Sequence, residues 1–91
     1  MSILVRFDPV DLTAAQYDDT IRMVQESDAD MSGAEYHVCY GTEGNLSVIE
    51  VWSSPEQFEA FGEELMPMLE KAGIKFAKPP EISEVHNSMT P

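Results

Sequence analysis

A chain of 91 residues with five Lys plus Arg against seventeen Asp plus Glu carries a formal charge of −12, which repels phosphate backbones and anionic lipid and argues against nucleic acid and membrane partners. Hydrophobic residues make up 43% and the acids are scattered among them, so the composition is that of one folded domain over 1–91, with 87–91 expected as a flexible tail. A domain this small leaves much of its surface unburied, so an added interface would contribute useful stability.

The opening "MSILVRFDPV" has an apolar run of three residues before Arg6 and no cleavage pattern, and no later stretch approaches the ~20 apolar residues of a membrane span, so a cytoplasmic protein is expected. Residues 2–8, ended by Asp8-Pro9, predict a first strand. "LTAAQY" predicts a helix entrance: Thr13 caps, Gln16 completes a capping box, Leu12 staples onto Tyr17, and the helix runs to about Ser27 with Tyr17, Ile21 and Val24 along its apolar stripe. "EYHVCYG" and "NLSVIEVWS" around "GTEGN" predict a hairpin of the second and third strands. Cys39, the only cysteine, excludes an internal disulfide, fits a reducing compartment and reads as a small buried hydrophobe. Ser54-Pro55-Glu56-Gln57 predicts a second helix, with Phe58, Phe61, Leu65, Met68 and Ala72 at helical spacing and Gly73 as its left-handed end. Pro67 is expected to kink it. A short fourth strand ends near His86.

The order β-α-β-β-α-β specifies an α+β, ferredoxin-like subunit with a four-stranded antiparallel sheet and both helices on one face. Two helices cover one sheet face only. The third strand is apolar on both, with Ile49 and Val51 on one side and Leu46, Val48, Glu50 and Trp52 on the other. The second face is expected to be covered by the same face of a second copy, a homodimer through Leu46, Val48 and Trp52.

The stretches "YHVCYGTEGNLSVIEVWSSPEQFEAFGEELMPMLEKAG" and "EVHN" resemble the dimeric α/β-barrel superfamily, and within it the small uncharacterised relatives of the antibiotic-biosynthesis monooxygenase group. The resemblance covers about residues 35–87. It implies sheet-to-sheet pairing and a ligand space near the third-strand tryptophan, here Trp52. The haem-degrading branch carries its ligating histidine on the second helix, and residues 55–72 contain no His, so haem is not expected.

With strand order 4-1-3-2, Arg6 and Glu50 are expected on the face away from the helices, either pairing as ions or orienting a polar ligand group. The hairpin register decides where His37 lies. A three-residue loop sets Tyr36 opposite Glu50, whereas a four-residue loop sets His37 opposite Glu50 with Tyr36, Val38 and Tyr40 under the helices, and the second is the register adopted. His37, Glu50 and His86 then form a polar cluster beside Trp52, with His37 and His86 as candidate catalytic groups that shuttle a proton, or as histidines satisfied by their neighbours. Arg6, Glu50, Trp52, Phe58 and Phe61 are the candidate pocket. His37, Cys39, Glu50 and His86 lack the tight ligand spacing of zinc sites, so no metal is expected. Without a Gly-rich phosphate loop, nucleophile elbow or Walker-type lysine, no cofactor is expected either. The expected function is to hold a small apolar or aromatic molecule beside Trp52. Its alternatives are a cofactor-independent monooxygenase acting on a phenol or hydroquinone, and a dimer with a filled interior.

Overall fold

The computed structural model describes all residues, Met1–Pro91, and its elements follow the expected order with one addition. In chain order they are β1 (Ile3–Phe7), β2 (Pro9–Val10), α1 (Ala14–Glu26), β3 (Ala34–Thr42), β4 (Asn45–Trp52), α2 (Pro55–Ala72), β5 (Lys75–Phe76) and β6 (Glu81–Glu84). The main sheet has the order β3-β4-β1-β6 and is antiparallel throughout, which is the expected strand order. The addition is a two-residue pairing of β2 with β5. No helix is long and apolar enough to cross a membrane.

The helix ends follow their local chemistry. Thr13 Oγ1 accepts from the Gln16 amide while Gln16 Oε1 accepts from the Thr13 amide, both at 3.1 Å, so two donors of the first turn are satisfied. Gln16 Nε2 also donates to the carbonyl of Gly73, tying the start of α1 to the end of α2. Ser54 caps α2 with Pro55 at its first position, and Gly73 ends it at φ 75, a conformation a side chain would strain. The helix continues through Pro67 to Ala72.

The core lies between the helices and the sheet: Ile3 and Val5 of β1, Val24 of α1, Trp52 of β4, and Phe58 and Phe61 of α2. Trp52 is wholly buried, with ring centroids 5.1 Å from Phe61 and 5.9 Å from Phe58.

Two expectations about facing are overturned. β1 pairs with β4 in the register Ile3↔Trp52, Val5↔Glu50 and Phe7↔Val48, so Trp52, Glu50 and Val48 share the helix-covered face with Ile3 and Val5. They cannot form a dimer interface, being buried within one chain. Arg6 lies on the open face opposite Ile49 and pairs with Asp8 at 3.2 Å, so the expected Arg6–Glu50 pair does not form. The physical reason is that β4 is apolar on both faces. Moreover, the long connection from β1 to β4 contains no turn that pins their register.

In the hairpin, His37 does lie opposite Glu50 as expected, with the turn tightened to Glu43-Gly44 and Thr42 paired to Asn45. Because Glu50 faces the helices, His37 does too. Tyr36, Val38 and Tyr40, expected beneath the helices, stand exposed on the open face. A bulge between Ala34 and Tyr36 breaks the alternation of β3. Its extra residue, Glu35, accepts hydrogen bonds from Ser2 Oγ at 2.8 Å and Ser53 Oγ at 3.1 Å.

Candidate functional site

A cavity of about 270 Å³ lies between the sheet and the helices. The sheet contributes Phe7, His37, Val48 and Glu50 to its wall, α1 contributes Tyr17, Thr20, Ile21 and Val24, and α2 contributes Phe61, Leu65 and Leu69. Spacings of three and four along both helices bring these side chains onto the faces turned toward the sheet. Pro9 and Phe76, from the small β2–β5 pairing, also line the cavity. Twelve of the seventeen lining residues are hydrophobic, so the few polar groups decide what chemistry the space permits.

Three of them, Glu50, His37 and Tyr17, form one chain of hydrogen bonds that begins at Trp52 in the core. Trp52 Nε1 donates to Glu50 Oε1 at 2.9 Å, and Glu50 Oε2 lies 2.6 Å from His37 Nδ1. His37 Nε2 lies 2.6 Å from the Tyr17 hydroxyl. Directions follow from the acceptor at the centre: a Glu50 carboxylate receives the Nδ1 proton, which leaves Nε2 as an acceptor and makes Tyr17 the donor to it. The Glu50 side chain is 5% exposed and that of His37 28%, so the carboxylate sits deep and the imidazole reaches the rim. No buried side-chain nitrogen or oxygen lacks a partner. Thus a carboxylate is tolerated among apolar side chains because both its oxygens are satisfied.

The Tyr17 ring meets His37 end-on through its hydroxyl, with centroids 5.8 Å apart and planes 26° from parallel. Burial, and then the charges that Cys39, Glu50 and Asp18 carry at the alkaline pH where a phenol ionises, push its phenol above the ordinary tyrosine value, so it keeps its proton as a donor. Cys39 faces the same side, opposite Val48. Its thiol is also pushed up, by burial first and Asp18 second, and it stays in its unreactive protonated form.

Of the sequence-derived candidates, the fold brings His37, Glu50 and Phe61 to the cavity. Trp52 and Phe58 belong to the core behind it, and Trp52 reaches the site only through its hydrogen bond to Glu50. Arg6 is on the opposite face of the sheet. His86 is exposed beyond β6, at the far edge of the sheet from His37. Three interstrand spacings of ~4.8 Å separate those edges, so the expected cluster of His37, Glu50 and His86 does not form. No group of three His, Cys, Asp or Glu side chains is arranged to hold a metal ion. The residue that sequence reasoning missed is Tyr17, read as part of an apolar stripe. Its signal was the hydroxyl itself, because a tyrosine pointing inward needs a polar partner.

No protein-family model matches the chain, and no curated protein sequence matches it. Solved structures do. SnoaB, a cofactor-independent oxygenase from Streptomyces nogalater, superposes with a TM-score of 0.62 at 15% identity, covering 97% of this chain and 94% of that one. The ActVA-Orf6 monooxygenase of Streptomyces coelicolor, solved in complex with nanaomycin D, gives 0.59 at 20% identity, covering 99% and 91%. The NE2512 protein of Nitrosomonas europaea, of unknown function, gives 0.55 at 16% identity, covering 99% and 92%. The likeness is one of fold: the chain has the ferredoxin-like fold of antibiotic biosynthesis monooxygenase-like proteins.

Proposed function

We propose that the protein binds a small hydroxylated aromatic molecule in the cavity between helices and sheet, and that His37, oriented by Glu50, takes the hydroxyl proton. The observation that carries this reading is the Glu50–His37 hydrogen bond ending at an apolar cavity. A carboxylate on Nδ1 fixes the tautomer and stabilises the imidazolium formed when Nε2 accepts a proton. A volume of about 270 Å³ exceeds the ~150 Å³ that houses benzene and falls just short of drug-sized pockets, so one or two rings are the fitting size.

The test uses a hydroxynaphthalene, whose absorption moves to longer wavelength on ionisation. Saturable binding with that shift is expected for the wild type, and His37→Ala should bind without it. Absence of saturable binding to the wild type overturns the reading. A second reading adds oxygen chemistry, favoured by the likeness in fold to SnoaB and the ActVA-Orf6 protein. There the phenolate of 1-naphthol reacts with O2 to give 1,4-naphthoquinone and water. One oxygen atom enters the ring and the other leaves as water, while the ring loses four electrons and O2 gains four. Oxygen uptake by metal-free protein no faster than background removes this reading and leaves the binding site standing.

A second copy covers the open sheet face. That face carries Tyr36, Val38 and Tyr40, exposed at 49%, 45% and 40%, around the half-buried Leu4, Ile49 and Val51. Apolar surface of this continuity is stabilised by burial against its own symmetry mate. Sedimentation at micromolar concentration should give twice the 10.2 kDa chain mass, and Val51→Lys should return it to one chain. A wild-type monomer at that concentration excludes the dimer.

A further inference from the structure

We propose that Tyr17 is a built-in competitor for the site: its hydroxyl occupies the one lone pair of His37 that a ligand hydroxyl must take, so a ligand is admitted only if it donates to Nε2 better than Tyr17 does. The inference rests on the ligand-binding reading above and names its selection rule.

The geometry supports it at three points. His37 Nδ1 is committed to Glu50, so Nε2 is the only nitrogen left to act as a base, and Tyr17 holds it at 2.6 Å. The Tyr17 ring stands beyond Nε2, its centroid 5.8 Å from that of the imidazole, across the approach a ligand hydroxyl must take to that nitrogen. The Tyr17 hydroxyl makes no other hydrogen bond, so nothing but His37 holds it in place and one exchange of partners releases it. Such an exchange replaces a phenol O–H···N bond with another of the same kind, and its direction follows the relative acidity of the two donors. In that one environment a naphthol is intrinsically a stronger acid than the alkyl-substituted phenol of tyrosine, so it gives the stronger bond to Nε2 and displaces Tyr17. An aliphatic alcohol does not. An aryl ether, with no proton to give, fills the apolar space and leaves the Tyr17–His37 contact intact.

Two measurements test the proposal, with Tyr17→Phe compared against the wild type. The first needs no ligand: diethyl pyrocarbonate acylates a free imidazole nitrogen, and the exposed His86 serves as reference within the same chain. His37 should react much more slowly than His86 in the wild type, and at least threefold faster in Tyr17→Phe than in the wild type. Equal His37 rates in both proteins overturn the claim that Tyr17 blocks the base. The second compares 2-naphthol with its methyl ether. Removing the competitor should tighten naphthol binding by about three- to tenfold, the effect of one neutral hydrogen bond, and leave ether binding unchanged. Weaker naphthol binding in Tyr17→Phe would mean that Tyr17 holds the ligand, and equal tightening of both would mean that it merely fills space. Either result overturns the proposal. If naphthol binds neither protein, the ligand-binding reading and the selection rule built on it both fall, while the acylation measurement still decides whether Tyr17 blocks His37.

Discussion

Replacing Trp52 by alanine should remove a large part of the stability of the fold. The side chain is wholly buried, packs on Phe58 and Phe61, and donates to the buried Glu50. Truncating a buried tryptophan costs about 3–5 kcal/mol through lost burial and the void left behind. A domain of this kind has only about 5–15 kcal/mol in total. Here the loss is compounded, because Glu50 Oε1 is left without its donor in an apolar setting. A buried acceptor so orphaned costs roughly a further 1–3 kcal/mol. Trp52→Phe separates the two contributions, since it keeps an aromatic ring and removes only the N–H and part of the volume. Urea unfolding followed by circular dichroism measures both variants without relying on the lost fluorophore. A midpoint for Trp52→Ala within about 0.3 M of wild type, less than ~1 kcal/mol at an ordinary denaturant slope, would show that the tryptophan does not anchor the core.

The second large effect is chemical. Glu50→Gln should preserve the shape of the site and abolish proton uptake by His37. The amide oxygen can still accept from Trp52, which leaves the amide NH2 facing Nδ1. An NH2 group cannot receive the Nδ1 proton, so the imidazole adopts the other tautomer, with its proton on Nε2 and its lone pair turned toward the amide. The nitrogen facing the cavity is then a donor and no longer a base. A wrong tautomer in a comparable carboxylate–imidazole pair lowers catalysis by about 10⁴-fold, and a loss of at least ~100-fold in ionisation of the bound hydroxynaphthalene is expected here. Ether binding, which needs no base, should change little. Undiminished ionisation in Glu50→Gln would exclude Glu50 as the group that sets the tautomer.

The fold was readable wherever local chemistry acts over a few residues. Thr13 with Gln16, Ser54 with Pro55, and Gly73 each announce a helix end in three or four letters, and each end lies where those letters place it. The pairing of His37 with Glu50 was also reached, but on a ground the structure overturns, since Tyr36, Val38 and Tyr40 stand on the open face and the loop has two residues where four were expected. What the sequence left undecided is which sheet face meets the helices, because Ile49 and Val51 are as apolar as Val48 and Trp52. The choice falls to the sum of contacts made by Trp52, Phe58 and Phe61, which no single residue reveals. The site inherits that uncertainty. Glu50 and His37 were readable as a pair, but their surroundings were not, and so Tyr17 went unnoticed while Arg6 and His86 were grouped with them.

The bulge at Glu35 decides how Ala34 faces relative to the rest of its strand. Side chains of a strand alternate, so Ala34 and His37, three positions apart, would ordinarily point to opposite sides. The supernumerary Glu35 resets the count, allowing Ala34 to pack on the core opposite Trp52 and His37 to face inward opposite Glu50. Loss of that one residue from the gene would let the strand run without interruption, with Ala34 still opposite Trp52, Tyr36 opposite Val51 and His37 opposite Glu50, so every downstream side chain would keep its address. A deletion between His37 and the turn at Glu43-Gly44 would exchange the faces instead, bringing Tyr36 opposite Glu50 and turning the imidazole out to water. Length between His37 and the turn is thus as much a determinant of the site as any side chain in it, and in a lineage descended from this sequence an insertion or deletion there would extinguish the site without altering one of its residues.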